Sequence, residues 1–253
     1  MNKWRQRLAA WDAQQSLYRP DRERALAAVS DLLASAVPVE RLRVLDLACG
    51  CGAVTARILD AVPSARVVGI DQDPVLLRIA REIWADDPRV TFEQADLRDG
   101  AWRERHGLGQ FDAVVTAAST HWFEPDDLSS VYRAIATSLH PGGLFANLDW
   151  IPIAQAPGLQ GLSDAYVRDR ERRLTSGRDG EHSPWREWWT QTLADPDLAA
   201  EATERSLMNL PRSAEHFADE DWHRSKLIEA GFAEAGVIWR SFSSAVMVAT
   251  RGG

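Results

Sequence analysis

The stretch 43–59, RVLDLACGCGAVTARIL, constrains the fold more than any other part of the chain. It opens on an apolar, β-prone run, Val44-Leu45-Asp46-Leu47. Five small residues follow, Ala48-Cys49-Gly50-Cys51-Gly52, and then a helical pattern with Val54, Ile58 and Leu59 on one side. Strand, glycine turn and helix in that order form the cradle used by nucleotide-like ligands, because glycine lets the backbone approach a ligand closely. A second marker lies at the matching distance. Val67-Val68-Gly69-Ile70 reads as the next strand, and Asp71 ends it about 20 residues past the glycines, where a carboxylate can take both hydroxyls of a ribose.

The fine spacing separates two ligand classes. A dinucleotide cradle needs a third glycine three residues after the second, and Thr55 stands there. Ahead of the turn, at the strand end, is an acid, Asp46. The string D-L-A-C-G-C-G resembles motif I of the class I S-adenosylmethionine (SAM) methyltransferases, acidic-x-Gly-x-Gly-x-Gly, with Ala48 replacing the first glycine. The resemblance implies that Asp46 and the turn's amides answer the ammonium and carboxylate of SAM. It also implies that Asp96 and Leu97, after a third strand at 90–93, meet the adenine. Ala48, Gly50, Gly52, Gln72 and Ala117 join the expected cofactor set. Tyr18 either meets the ligand or packs between two helices.

The rest of the chain alternates as a doubly wound sheet does. Helices at 3–16 (Trp4, Leu8 and Trp11 on one face) and up to about residue 36 (Leu26, Val29 and Leu33 inward) precede the first strand. Pro20-Asp21 separates them and Pro38 closes the second. A helix from Asp73-Pro74 to about residue 85, a strand at 111–116 and a helix at 126–139 follow. The turn His140-Pro141-Gly142-Gly143 then leads to a strand at 144–148, and L-x-P-G-G there also resembles the family. From 150 to 217 the alternation stops, leaving helical pieces at 159–175, 184–194 and 197–207. A last helix carries Leu227, Ile228 and Phe232 and ends at Gly231. Two strands, 235–240 and 242–250, have almost nothing between them, so they must run antiparallel. The expectation is an α/β fold: a doubly wound, seven-stranded, mostly parallel sheet with an antiparallel last strand. Residues 1–40 form a helical cover, 41–150 and 218–253 the core, and 151–217 a helical cap insertion.

At 253 residues with a net charge of -8 the chain is poorly suited to polyanionic partners. Its N-terminus has charges on every turn and no apolar run, and no later stretch reaches spanning length, so the reading is cytoplasmic. Cys49 and Cys51 are too close for an unstrained disulfide, and two ligands do not make a metal site. Expected partners are a small-molecule acceptor and at most a second copy of the chain, with neither nucleic acid nor membrane.

These features point to SAM-dependent methyl transfer to an O, N or C nucleophile of a small acceptor. His121, at the fourth strand's end, is the candidate base, or else it orients the acceptor. Trp122 and Trp150 flank the same region. Trp185, Trp188 and Trp189 share one helix face; either they are the cap's own core or, three large rings being more than a short helix needs, at least one, Trp185 and Trp189 above all, lines the acceptor site, with polar anchors around Tyr166, Arg168 and Arg172. The acceptor would be apolar or planar, of the secondary-metabolite kind. A non-methylating SAM enzyme and a non-catalytic SAM-binding protein stay open as alternatives.

Overall fold

The computed structural model describes residues 2–19, 21–36, 42–176, 182–208, 210 and 215–253. Pro20 and Pro38, the breaks expected around the second helix, lie outside them.

Seven strands form one sheet: β1 (Arg43–Leu47), β2 (Arg66–Asp71), β3 (Val90–Gln94), β4 (Phe111–Ala117), β5 (Leu139–Trp150), β6 (Phe232–Ser241) and β7 (Ser244–Arg251). Their order is β3-β2-β1-β4-β5-β7-β6. The first five run parallel, and β7 lies antiparallel between β5 and β6. Only Phe242 and Ser243 separate β6 from β7, which forces the reversal.

Ten helices wrap this sheet among the described residues: α1 (Lys3–Tyr18), α2 (Arg22–Ala36), α3 (Ala53–Ala61), α4 (Pro74–Ile83), α5 (Trp102–Arg105), α6 (Pro125–Ser138), α7 (Pro157–Leu174), α8 (Pro184–Leu193), α9 (Ala199–Leu207) and α10 (Glu220–Glu229). None is long and apolar enough to cross a membrane. Local chemistry sets their starts. Asp73 caps α4 by accepting from the Val75 and Leu76 amides, and Pro74 fills the first turn, where its missing N–H is not needed.

Strand alternation divides the side chains between two cores. Val44 belongs to the cluster under α1–α4 and α8, whereas Leu45 and Leu47 belong to the one under α6 and α10. Asp46 therefore points to the α1 side. Two expectations shift. The turn 140–143 lies within β5, whose pairing steps from Phe111↔Leu139 to Ala113↔Leu144, with Gly142 at φ 76° carrying the bulge. Phe232 opens β6 rather than closing the last helix, and of that helix's expected apolar face Leu227 is buried while Ile228 is exposed.

Candidate functional site

The glycine turn is built by left-handed residues at alternate positions: Ala48 (φ 52°), Gly50 (φ 55°) and Gly52 (φ 83°). Gly52 is also required sterically, since a Cβ there would lie 2.5 Å from the Trp84 ring. Ala48 holds the same conformation with a Cβ, at a cost of about 1–2 kcal/mol. Ala48→Gly should relieve that strain against a looser unfolded chain, so urea unfolding should show a gain of about 0.5–1 kcal/mol. A loss of stability would mean that the Ala48 methyl packs usefully.

Asp46 is fully buried, and its Oδ2 accepts from the Thr55 amide (3.1 Å) and hydroxyl (2.7 Å). The residue standing at the missing third glycine is thus the one that fixes the acid. Burial pushes the Asp46 carboxyl up to about 7 despite those two bonds. Its Oδ1 has no partner among the described residues. Asp71, at the end of β2, accepts from the Gly50 amide (2.8 Å) and the Asp73 amide (2.9 Å), and burial raises it to about 6. The amides of Cys49 and Gly52 are spent as well, on the carbonyls of Ile70 and Cys49. The turn therefore offers a ligand less backbone than its sequence suggests, and the acids carry more of the fit. An unpaired buried carboxylate oxygen suits the ammonium of SAM, and Asp71 retains lone pairs for ribose hydroxyls. The Cys49 and Cys51 thiols are free, and burial pushes both well above their ordinary range.

Gln72 and Asp96 line an open cleft of about 530 Å³ with Gln94, Arg98, Arg105 and Glu204. Asp96 is held by the Arg98 backbone amide (2.9 Å) and guanidinium (2.8 Å). Partial burial pushes its carboxyl up, but the Arg98 bonds prevail and hold it below the usual range. Leu97 is buried beside it, and Ala117 is half-buried at the end of β4. Gln94 Nε2 donates to Glu204 at 2.7 Å, tying α9 to the sheet edge.

His121 sits in a short 3-10 turn, Thr120–Trp122, just past β4. Its Nδ1 meets both oxygens of Asp149, at 2.8 and 3.0 Å, and its backbone amide donates to Oδ2 at 3.2 Å. Asp149 also accepts from the Thr120 hydroxyl (2.7 Å), the Trp150 amide (2.8 Å) and Arg19 Nη1 (3.4 Å). Burial pushes its carboxyl up, but the His121 imidazole, then Arg19 and Thr120, hold it well below the carboxylate range. With a carboxylate on Nδ1, the nitrogen left to face an acceptor is Nε2. The His121 ring stacks on Phe217 (5.5 Å between centroids, 21°) and lies 4.8 Å from Trp122, and Trp150 touches Phe217. Trp122 is 46% exposed and Phe217 41%, so both rings face the open side of a buried dyad. Asp149 and Phe217 are absent from the expected site. A carboxylate within an otherwise buried strand, F-A-N-L-D-W, was the available signal for the first.

The tryptophan stripe of α8 has a different neighbourhood from the expected one. Trp188 and Trp189 are buried against Trp11 of α1 at 4.8 and 6.3 Å, and Trp188 Nε1 donates to the Arg7 carbonyl. The Trp189 ring lies under Arg205 (4.1 Å), which bonds Asp73 at 2.6 Å. Trp185, half-exposed, donates its amide to the Tyr18 hydroxyl at 3.3 Å. Physically, the stripe is the core between α1 and α8, and the rings around His121 are Trp122 and Phe217, with Trp150 beyond. Tyr166 is likewise occupied, stacked on Phe242 at 4.0 Å, while Arg168 and Arg172 are exposed.

Residues 44–143 match the family model described as Methyltransferase domain. A trans-aconitate 2-methyltransferase of Azoarcus sp. (strain BH72) is 37% identical over 139 residues, 55% of this chain and 50% of that protein. A malonyl-[acyl-carrier protein] O-methyltransferase of Acetivibrio thermocellus is 30% identical over 106 residues, 42% of this chain and 35% of that protein. The chain spans about half the length of the curated relatives it matches. Among solved structures, human N-acetylserotonin methyltransferase in complex with SAM superposes with a TM-score of 0.61 at 14% identity, covering 99% of this chain and 57% of that one. The CurJ carbon methyltransferase gives a TM-score of 0.61 at 16% identity, covering 94% and 57%. These two likenesses bear on the fold.

Proposed function

We propose that this chain, which carries a class I SAM-dependent methyltransferase domain, methylates a protic oxygen or nitrogen of a small, planar, largely apolar acceptor. The observation that carries the reading is the buried His121–Asp149 pair, 2.8 Å apart, under the exposed rings of Trp122 and Phe217. SAM supplies a methyl group already activated on a sulfonium. The chain's own task is alignment, exclusion of water and removal of one proton. Asp149 keeps the His121 proton on Nδ1, so the Nε2 lone pair would take the acceptor's proton as the acceptor oxygen or nitrogen displaces the sulfur from the methyl carbon, S-adenosylhomocysteine being the leaving group. The Asp149 charge then steadies the imidazolium. Trp122 and Phe217 give a planar acceptor two apolar faces to lie against.

A second reading is methylation of a carboxylate, as the names of the trans-aconitate relatives suggest for those proteins. It is favoured here by the Arg19 guanidinium beside Asp149. A carboxylate oxygen needs no base, so the two readings part at His121.

The test is to incubate the protein with SAM and a panel of aromatic hydroxyl, amine and carboxylic acid compounds, reading S-adenosylhomocysteine and methylated product by mass spectrometry. S-adenosylhomocysteine should appear with a hydroxyl or amine acceptor and vanish in His121→Ala. Turnover with carboxylic acids that survives His121→Ala would establish the second reading. No SAM binding at all would defeat both.

A further inference from the structure

Four buried polar atoms on the α1 side of the sheet have neither a hydrogen bond nor an ion pair among the described residues: Gln14 Oε1 and Nε2, Trp189 Nε1 and Asp46 Oδ1. Such atoms are rare in folded proteins and call for a partner. Gln14 is 4% exposed. It lies on the α1 stripe with Trp11 and Tyr18, at i+3 and i-4 from them, and both of those residues touch α8 through Trp188, Trp189 and Trp185. Gln14 therefore lies on the face of α1 that turns toward α8. The seam between these helices leads to the ligand end of the sheet, because Arg205 covers the Trp189 ring and bonds Asp73, two residues beyond Asp71. Asp46 points to the same face.

The inventory has a chemical signature. Asp46 Oδ1 and Gln14 Oε1 accept; Gln14 Nε2 and Trp189 Nε1 donate. Two acceptors and two donors suit a group carrying an ammonium beside a carboxylate, and neither a cation nor an anion alone. We propose that Gln14 and Trp189 bind the amino-acid end of SAM, opposite Asp46, so that α1 and α8 close on the cofactor rather than on the acceptor. This rests on the SAM reading above. The Tyr18 and Trp185 pair then seals the seam's end, and the Arg205–Asp73 bond holds α9 against the ribose side.

The experiment compares two ligands by calorimetry. S-adenosylhomocysteine carries the amino-acid end, whereas 5′-methylthioadenosine keeps the nucleoside and thioether without it. Gln14→Leu removes both amide atoms at similar volume, and Trp189→Phe removes the N–H while keeping a ring for Arg205. Each should weaken S-adenosylhomocysteine about 10-fold and leave 5′-methylthioadenosine within about twofold. Unchanged S-adenosylhomocysteine affinity in both variants would overturn the proposal, and so would equal loss of both ligands, which would make the seam merely structural. Should wild type bind neither ligand, the SAM reading itself fails and takes this one with it.

Discussion

Asp149→Asn should lower turnover by about 10²- to 10⁴-fold while SAM affinity stays within a few-fold, the pattern of a group that serves only the reacting acceptor. The size follows from the donors around it. Thr120, Trp150, Arg19 and two N–H groups of His121 all aim at this carboxylate. An asparagine would set its own NH₂ against some of them, and the His121 ring would lose the charge that fixes its tautomer. Stability should fall too, by about 2–4 kcal/mol, because the variant leaves buried donors unmatched. The sign with pH is definite. A carboxyl held below its unfolded value contributes stability above about pH 4, and that contribution is lost as pH falls through the folded value. Asp149 therefore stays charged from pH 5 to 9, and an ionisation seen in turnover over that window is not its own. His121→Ala, which leaves the carboxylate in place, is the companion variant. If turnover survived both substitutions, catalysis would proceed by placement alone and the dyad would be structural.

Asp46→Asn should have the opposite effect on stability. Burial holds this carboxyl at about 7, above its unfolded value near 4. Between those limits the folded state keeps a proton that the unfolded chain has released, so stability falls as pH rises from about 4 to about 7. Above pH 7 the whole cost is present, with a ceiling of about 4 kcal/mol. Asparagine can still accept from Thr55 and removes the buried charge, at the expense of an unpaired NH₂. The ligand-free protein should gain about 1–2 kcal/mol at pH 8 and lose much of its dependence on pH between 5 and 8. Cofactor affinity should meanwhile drop about 10- to 100-fold, because an ammonium would face a donor in place of Oδ1. Thermal unfolding across pH, paired with calorimetry, reads both arms. A variant less stable than wild type at pH 8, or one that kept its affinity, would show that Asp46 is held for the fold and not for the ligand.

The cradle was legible because everything in it is local. Strand, small residues, glycines and helix lie within seventeen consecutive positions, and the Thr55–Asp46 bond spans only nine. His121 could be found from its place after β4. Asp149 stood out only as a carboxylate in an apolar strand, and its partnership with His121 was not legible, because that depends on register. Thr116↔Asn147 and Ala117↔Leu148 set β5 so that Asp149 emerges just past the end of β4, level with the turn that carries His121. No periodicity within either strand contains that information. The α8 stripe teaches a related lesson. Helical spacing tells which rings share a face, and here the partner face was another stripe, Trp4, Leu8 and Trp11 of α1. Each stripe was visible alone, and nothing in the sequence says that they meet.

That meeting has a consequence for synthesis. The Arg7 carbonyl waits for Trp188 across 181 residues, and Arg170 closes on the carbonyls of Ser16 and Leu17 from nearly as far. At translation speeds of about 5–20 residues per second, α1 leaves the ribosome roughly ten seconds or more before its partner exists. Through that interval α1 can pack on α2 and α4 and pair Asp12 with Arg57 of α3, but Trp11 lacks its α8 partners Trp188 and Trp189. The two tryptophan stripes can therefore close on each other only after α8 is made, whereas the contacts of α1 with the helices of the sheet can form earlier.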